Sequence, residues 1–585
     1  MMQTAVAQES PIASQKGHPK GLSVLFATEM WERFNFYGMR ALLTLFLVNA
    51  LAYSEADSSI MYGGFLGLCY LTPMLGGYIS DRYLGNRNCI ILGGFIMAVG
   101  QLLMVLSATI YASNIETAKM IVWLALFVII FGNGFFKPNI SSMVGQLYPK
   151  GDGRLDSAFT IFYMGINMGA FLGMLICPIL GDVKIEATGV RIVSAFKWGF
   201  LAASIAMFLG TVLFYFLKDK YVVKPNGDPI GAKPDFNKSD INAIGNKPGT
   251  TATGEADKAK FTTSAIIGVL VLLVALFIGI HYLSLDPTAL KQNPIKVWVY
   301  PFIYATGISL AVLILTDTSI TKVERQKITV IYFVAFFVIF FWACFEQAGS
   351  SLTFIADYQT DRHLFGWDMP PSFVQNANSI FIIVFALPFS WLWLKLQQRN
   401  LEPISPIKQS LGLALLALGF FIIAIQMKGL GAGEKLGVSW LILMYLFHTL
   451  GELCLSPIGL SLVAKLAPQR FSSLLMGVWF LANAAGYALA GTLGALLPPT
   501  MDKYELATKN GLDLKGILDG TITATAQQLD KLKELQLATH YPTFAGFTIH
   551  NLYEFFMVFV ILPGAAAILL FISSSFLKKW MHEVR

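Results

Sequence analysis

Charged residues are scarce in this amino-acid sequence. Asp, Glu, Lys and Arg make up 13% of its 585 residues, whereas about a quarter of a soluble globular domain is charged. Apolar residues make up 55%, fall in long blocks and give a mean hydropathy of +0.61. The composition excludes an ordinary soluble protein and predicts a polytopic membrane protein in contact with the lipid bilayer.

Cysteine and the common catalytic motifs are also scarce. The five cysteines are scattered, mostly within apolar runs, without a CxxC pair or a His/Cys cluster, so neither a disulfide framework nor a metal site is expected. The sequence contains no GxxxxGKS or GxxxxGKT phosphate loop, no HExxH and no GxSxG. These absences disfavour an ATP-driven pump and a membrane enzyme. The polar N-terminus lacks the pattern of a cleavable signal peptide.

Fourteen apolar stretches are long enough to cross a bilayer, which takes about 20 residues each. They form six, then two, then six spans, near 21–51, 59–80, 89–110, 120–146, 156–181 and 194–217, then 263–283 and 297–316, then 328–356, 372–397, 407–427, 438–466, 471–498 and 550–577. The predicted fold is an all-α polytopic membrane protein with two six-helix bundles, 21–217 and 328–577. Two additional helices, 263–316, follow a polar linker, 218–262.

Lys and Arg residues set the predicted orientation, because cytoplasmic loops carry an excess of them. With the N-terminus inside, the cytoplasmic segments hold 25 of the 42 basic residues and the outer segments hold 14. This bias predicts cytoplasmic tails at 1–20 and 578–585, in a protein of the cell inner (plasma) membrane. It also explains the net charge of +7, so no nucleic-acid partner is expected.

A polar insertion, 499–549, precedes the last span on the predicted outer side. Its stretch "TAQQLDKLKELQLA" has the pattern of a helix. A solvated cap is the simpler interpretation. A part that gathers substrate or contacts a partner is the alternative, although nothing else in the sequence supports it.

Seven Glu, Lys and Arg residues lie well inside the predicted spans, away from their ends, where charged groups are costly unless they face a cavity or one another. They are Glu29, Glu32, Arg33, Arg40, Lys137, Glu346 and Glu452. In the first span, positions 29, 33, 36 and 40 recur at helical spacing and share one face. Two interpretations of these charged residues are open: a static set of ion pairs that locks the helices together, and a polar cavity in which one acid titrates. The cavity is favoured because three of the seven residues sit alone on distant spans.

Other residues extend this pattern. Asn167 lies among small residues that permit close helix packing. His448 precedes Glu452 by one turn and is interpreted as a packed polar residue rather than a proton relay, and Pro457 is predicted to break that helix. Broken helices and buried charges are typical of a transporter with its site near the midplane. An acid-rich interior favours a proton gradient as the energy source.

The segment "EMWERFNFYG" resembles the ExxERFxYY motif of the proton-coupled oligopeptide transporters, a branch of the major facilitator superfamily. Further segments that resemble this family are "GGYISDRYLGNR", "FFKPNISS", "FYMGINMGA", "FEQAGSS", "QNANSIF", "GELCLSPIGLSLVAKLAP" and "MGVWFLANAAG". They follow in order along nearly the whole chain, and the two extra spans match a pair that bacterial members carry. The resemblance implies proton-coupled symport of di- and tripeptides into the cell by alternating access, with no cofactor and no obligate protein partner.

The resemblance also implies roles for individual residues. Peptide binding is implied for Tyr37, Arg40, Tyr70, Lys137, Asn167, Asn378, Glu452 and Trp479. Proton coupling is implied for Glu29, Glu32, Arg33 and Glu346. In this scheme Arg40, Lys137 and Tyr37 hold the peptide carboxylate, and Glu452 holds the ammonium. The chemistry fits independently, since a short peptide is a zwitterion and Arg makes strong charge-assisted bonds to carboxylates.

The sequence departs from the family pattern at two places. Phe36 replaces the first tyrosine of the motif, so one hydroxyl is missing. Gly63 stands near the position of a histidine in animal members, so coupling would rest on carboxylates.

Our mechanistic hypothesis is that Glu346, when ionised, pairs with Arg40, and that its protonation frees Arg40 for the peptide. A second gate pair on the inner side, Lys137 with Glu452, is part of the same hypothesis. A same-fold transporter of nitrate or another small anion, and a non-transporting peptide sensor, are the alternatives. Glu452 argues against the first, because an anion has no ammonium to bind.

Overall fold

The structure is a computed structural model that describes residues 17–149, 152, 154–185, 189–224, 227–233, 261–285, 292–430 and 434–582. Most of the predicted N-terminal tail, residues 234–260 of the predicted linker and residues 583–585 of the predicted C-terminal tail lie outside the described residues.

The first half of the chain forms one bundle. Its helices are α1 (Lys20–Asn49), α2 (Glu55–Leu71), α3 (Pro73–Ile79), α4 (Asn86–Ile110), α5 (Ile115–Gln146), α6 (Leu155–Gly181) and α7 (Phe196–Tyr221). A π-helical turn, Ser80–Leu84, extends α3, so that α2 and α3 together make one span. α1 packs against α6 and α7, and α4 packs against α5 and α7.

The second half contains the additional pair, the second bundle and the insertion. Its helices are α8 (Thr263–Ser284), α9 (Tyr300–Leu315), α10 (Lys322–Phe345), α11 (Ser351–Tyr358), α12 (Ala377–Gln398), α13 (Ser405–Gly429), α14 (Val438–Leu466), α15 (Ser472–Gly494), α16 (Met501–Lys509), α17 (Leu514–Leu518), α18 (Ala526–Glu534) and α19 (Leu552–Trp580). α13 packs against α14 and α19, and α10 packs against α15. α8 packs on α9, which packs on α15.

Three short strand pairs lie between the helices. β1 (Thr360–Asp361) pairs in parallel with β4 (Leu436–Gly437), β2 (His363–Leu364) pairs antiparallel with β3 (Trp367–Asp368), and β5 (Thr543–Phe544) pairs antiparallel with β6 (Phe547–Thr548). The two bundles meet where α2 packs on α15 and α6 packs on α12. The faces of α1, α2, α14 and α15 that carry the predicted site residues therefore lie inside the molecule.

The helices confirm the predicted membrane architecture. Among the described residues, 13 helical segments are long and apolar enough to cross a membrane. α1 is the fourteenth span. Its 30 residues cover about 45 Å, but the charged residues Glu29, Glu32, Arg33 and Arg40 interrupt its apolar sequence. The predicted limits are close to the observed ones, as for 438–466 and α14 (Val438–Leu466). The chain is an integral membrane protein.

The predicted break at Pro457 is wrong, because α14 runs continuously through this proline. A proline removes one backbone donor and bends a helix, and neighbouring helices in a membrane let the helix continue. Pro138 is likewise inside the continuous helix α5. The irregular backbone occurs instead at Glu346–Gly349, a 3-10 turn between α10 and α11.

The insertion between α15 and α19 is a folded unit. The predicted helix is α18, which begins with a capping box formed by Thr525 and Gln528. Buried side chains of this unit, including Leu514 and Leu532, form an apolar core of their own. Lys503 of α16 reaches the first half, with its Nζ 3.1 Å from Glu55 Oε1. Burial alone would lower the pKa of Lys503, but Glu55 and Asp502 raise it above its ordinary value.

Close packing of α3 on α5 gives a stability prediction. A Cβ built on Gly76 would lie 1.9 Å from the carbonyl oxygen of Gly134, so Gly76→Ala forces two backbones apart. We expect a loss of about 1–3 kcal/mol of stability, measured as a lower melting temperature of the purified protein in detergent. Gly268→Ala is the matched control, because a Cβ there meets nothing within 4 Å. Equal melting temperatures for the two variants would contradict this packing.

Candidate functional site

The face of α1 that carries Glu29, Arg33 and Arg40 is buried inside the protein. Arg33 Nε lies 2.9 Å from Glu29 and 2.5 Å from Glu32. These three side chains are at most 5% exposed, so the two carboxylates and the guanidinium compensate one another within apolar surroundings. Lys137 of α5 is close enough to act electrostatically on Arg33 and Glu32. This part of the site therefore balances two acids against cations from two spans.

Arg40 forms an ion pair that joins the two halves. Its Nη2 lies 3.2 Å from Glu346 Oε2, and its Nη1 donates to Glu346 Oε1 over 3.3 Å. Both side chains are buried. Tyr62 of α2 donates its hydroxyl to the same Oε2 atom over 3.0 Å. Glu346 begins the 3-10 turn that interrupts its span, and the structure brings the predicted partners Arg40 and Glu346 together.

Tyrosine rings surround the two cations. The Arg40 guanidinium carbon lies 5.1 Å from the centre of the Tyr37 ring, and Lys137 Nζ lies 3.5 Å from that of Tyr70. Such placement over an aromatic face stabilises a cation. The Tyr70 ring also packs edge-on against Tyr487 of α15, at 4.8 Å between centres. Tyr37, Arg40, Tyr70 and Lys137 thus lie close together, and their role in peptide binding stays a prediction.

Glu452 lies on the opposite half and is held by neutral groups. Asn378 of α12 donates its amide to Glu452 Oε2 over 3.0 Å and to Thr449 over 3.0 Å. Among the ion pairs of the described residues, none includes Glu452, so the suggested Lys137–Glu452 gate pair is not formed here. Arg40 and Glu346 are near enough to act on Glu452 electrostatically. The site presents a carboxylate that has no cation of its own.

Asn167 and Trp479, the other two predicted peptide-binding residues, are both buried. The Asn167 amide donates to the carbonyl oxygen of Tyr163, one turn earlier in α6, over 2.9 Å. The Trp479 ring packs on Gly459 so closely that a Cβ there would lie 2.1 Å from it. Trp479 is 3% exposed and belongs to the core of the second bundle. Its predicted role as the wall of a side-chain pocket stays a prediction.

Packing explains the two positions, Phe36 and Gly63, at which the sequence departs from the family pattern. Phe36 is buried, with its ring 6.0 Å from that of Phe65 and 5.6 Å from that of Tyr37, so it fills an aromatic cluster. A Cβ on Gly63 would lie 2.5 Å from the carbonyl oxygen of Tyr487 and 2.8 Å from Gly491 Cα. A histidine therefore cannot replace Gly63 without moving α15 away from α2.

His448 is fully buried, as the interpretation of a packed residue requires. Its ring lies 4.5 Å from that of Phe420 and 6.3 Å from that of Phe345. Neither of its ring nitrogens has a hydrogen-bond partner within the described part of the chain. Among the described residues, no group of three or more His, Cys, Asp or Glu is placed to hold a metal ion.

Sequence reasoning missed the ion pairs at the end of the molecule where α1 ends. We call this region the closed end and define it by Asp182, Lys184, Arg191 and Asp357. Lys184 Nζ lies 2.5 Å from Asp357, and Arg191 lies 2.8 Å from Asp357 and 2.7 Å from Asp182. Burial lowers the pKa of Lys184, and Asp357 opposes that effect. Asp357 lies in the last turn of α11, whereas both cations lie between α6 and α7, so the two pairs that include Asp357 hold the halves together.

Tyr62 was missed as well, since a tyrosine in an apolar helix carries no signal beyond packing. The closed-end cations gave only a weak signal, because Lys and Arg between spans are ordinary loop residues. A pairing across the halves cannot be read from either segment alone.

Comparison with known proteins places the chain among transporters. The POT family model matches residues 87–507. The chain is 32% identical over 488 residues to the peptide transporter YePEPT of Yersinia enterocolitica, covering 82% of this chain and 88% of that protein. It is 32% identical over 489 residues to a di-/tripeptide transporter of Lactococcus lactis subsp. cremoris, covering 81% and 88%.

A solved structure supports the same conclusion. A POT family transporter in complex with a thioalcohol conjugated peptide matches with a TM-score of 0.68 and 27% identity, covering 96% of this chain and 97% of that one. The predicted fold of the major facilitator superfamily, with two bundles and an additional pair, is confirmed.

The closed end gives a prediction of local stability. In Asp357→Asn, Lys184 and Arg191 lose the carboxylate between them, and breaking a buried pair costs about 3–5 kcal/mol. We expect backbone amides near Thr44 and Gly349 to exchange hydrogen at least about tenfold faster in liposomes, measured by mass spectrometry. Asp368→Asn, which changes an 83% exposed carboxylate of the β2–β3 hairpin, is the matched control. Unchanged exchange in Asp357→Asn would show that these pairs do not hold the halves.

Proposed function

The chain belongs to the POT family, and from that premise we propose that it carries di- and tripeptides into the cell together with protons, by alternating access. The observation that carries the proposal is the Arg40–Glu346 pair between the halves, beside a Glu452 carboxylate without a cation. Peptide, protons and lipid are the proposed partners. The proposed transport requires neither a cofactor nor an obligate protein partner, and it involves no enzymatic reaction.

The two ends of a peptide find opposite charges in this arrangement. Arg40, with Lys137 and Tyr37 beside it, offers cations and a hydroxyl to the carboxylate. Glu452 offers its carboxylate to the ammonium, and Asn378 already holds it in place. Tyr70 and Asn167 supply hydrogen bonds to the backbone or ends. Because the charged ends are fixed and the middle is not, side chains of many kinds can be accepted.

Proton coupling depends on competition between the Glu346 carboxylate and the peptide carboxylate for Arg40. While Glu346 is ionised, its carboxylate occupies the guanidinium at 3.2 Å. A proton taken from the outside by Glu346 removes that negative charge, and Arg40 becomes free for the peptide carboxylate. Proton loading and peptide binding then favour each other, which is the requirement for symport. Glu29, Glu32 and Arg33 form the second charged cluster that responds to protonation.

The basic-residue bias supports an orientation with both termini in the cytoplasm, in the inner (plasma) membrane. The closed end, at the C-terminus of α1, then faces the outside. The structure is accordingly a state in which the outer route is shut by Asp357 and its two cations. Release of peptide and proton is inward from this state.

Glu346→Gln tests the proton carrier in proteoliposomes. A glutamine keeps the shape but cannot take up a proton, so we expect gradient-driven peptide uptake to be lost while exchange of peptide for peptide is retained. Glu505→Gln, an exposed position of the insertion, is the matched control and should transport normally. Concentration of peptide by Glu346→Gln under a pH gradient would show that another group carries the proton.

Substrate competition separates the proposed function from its alternatives. We expect unlabelled dialanine, but not nitrate, to compete with uptake of a labelled dipeptide into liposomes under an inward proton gradient, because only a peptide supplies an ammonium to Glu452. Competition by nitrate would favour the anion transporter. Saturable binding without accumulation would favour the peptide sensor.

A further inference from the structure

Tyr62 lies between the two halves and has no role in the transport cycle proposed above. Its side chain is fully buried on α2. The hydroxyl donates to Glu346 Oε2 over 3.0 Å, and the ring centre lies 5.9 Å from the Arg40 guanidinium carbon. The same carboxylate oxygen lies 3.2 Å from Arg40 Nη2. One atom of Glu346 thus receives both a cation and a hydroxyl from the first half.

The Tyr62 hydroxyl fits against the backbone of Gly349 in the second half only because that residue has no side chain. A Cβ built on Gly349 would lie 2.1 Å from the Tyr62 oxygen, so any side chain at Gly349 would displace it. Gly349 ends the 3-10 turn that Glu346 begins. The interruption of this span therefore supplies both the carboxylate and the space for its donor.

Two further hydrogen bonds fix the distance between α2 and this turn. Ser350 donates its hydroxyl to that of Ser59, one turn from Tyr62, over 2.8 Å. Thr44 of α1 donates to the carbonyl oxygen of Gly349 over 3.0 Å. All of these contacts cross between the halves on the side of the closed end. They exist only while the halves touch there.

We propose that Tyr62 is a positioning residue for proton coupling: its hydroxyl holds the ionised Glu346 carboxylate in line with Arg40 while the outer route is shut, and releases it when the halves separate. The inference rests on the proposed function and adds a link between conformation and proton affinity. A donor to a carboxylate favours its charged form. Separation of Tyr62 from Glu346 therefore makes the carboxylate easier to protonate from the outside.

Other groups also act on Glu346 and are unchanged in the test. The charged and titratable groups that face it are Tyr37 and Arg40 on α1, Tyr70 on α2, Tyr445 and Glu452 on α14, and Tyr487 on α15. Among the hydrogen bonds of the described residues, only Tyr62 and Arg40 donate to its carboxylate.

The test follows protonation of Glu346 directly. Infrared spectroscopy of the protein in liposomes records the C=O band of the protonated carboxyl group during a pH titration, and loss of the band in Glu346→Gln assigns it. We expect Tyr62→Phe to move its midpoint upward by about half to one pH unit, the size of one lost hydrogen bond. The pH profile of gradient-driven dipeptide uptake should move in the same direction.

Two further variants make the result specific. Gly349→Ala displaces the hydroxyl from the opposite side and should shift the midpoint in the same direction as Tyr62→Phe. Tyr300→Phe is the matched control: its buried hydroxyl donates to the carbonyl oxygen of Ile60 on α2 over 2.8 Å, away from Glu346. Tyr300→Phe should leave the midpoint unchanged.

The outcomes separate the inference from the function on which it rests. A midpoint in Tyr62→Phe equal to that of Tyr300→Phe overturns the role of Tyr62, even if the wild-type protein concentrates peptide. If Tyr62→Phe shifts the midpoint but the wild-type protein does not concentrate peptide, the positioning role of Tyr62 is supported and the proposed transport is overturned. When Glu346→Gln is already present, adding Tyr62→Phe should change neither the rate of peptide-for-peptide exchange nor the pH profile of that exchange. A shift of this pH profile in the double variant would contradict the inference.

Discussion

The ion pair between Arg40 and Glu346 is the constraint on which the rest of the interior depends. Neither charge can remain in apolar surroundings alone, and each comes from a different half of the chain. The halves must meet at this level or supply another partner. In the proposed cycle, a substrate carboxylate is such a partner for Arg40, and a proton is such a partner for Glu346. Under that proposal, separating the pair is costly unless both ligands bind, which couples the binding of one ligand to the binding of the other.

The charges of the interior are distributed unequally between the halves. Of the seven charged residues well inside the spans, the first bundle carries the cations Arg33, Arg40 and Lys137 and the acids Glu29 and Glu32, whereas the second carries the acids Glu346 and Glu452. A zwitterion that bridges the two bundles, as proposed for a peptide, would therefore meet an excess of cations on one side and only carboxylates on the other. The same distribution means that an empty site must satisfy its own charges internally, and the tyrosines and Asn378 contribute to that.

Most of the architecture is predictable from the sequence, because spans of about 20 apolar residues are a strong signal and buried charges within them are rare. The pairing of Arg40 with Glu346 followed from the family resemblance. The helix break at Glu346–Gly349, the continuity through Pro457 and the ion pairs of Asp357 were not predictable. They depend on which spans face each other, and a hydroxyl such as that of Tyr62 becomes functional only through a residue distant in the sequence.

The helix α8 differs from every other span in that none of its side chains is buried. Its 22 residues, about 33 Å of helix, add perimeter in contact with lipid and leave the interior unchanged. A spectroscopic label on α8 would accordingly report on bilayer thickness and lipid composition. The other member of the additional pair is bound to the first bundle, because the amide of Asn293, shortly before α9, donates to Asp57 at the start of α2 over 2.7 Å. Tyr300 of α9 makes a second hydrogen bond to α2, at Ile60, and α9 also packs on α15. The additional pair is therefore attached to both bundles, so a change in bilayer thickness that shifts α8 would be transmitted to the contact between α2 and α15.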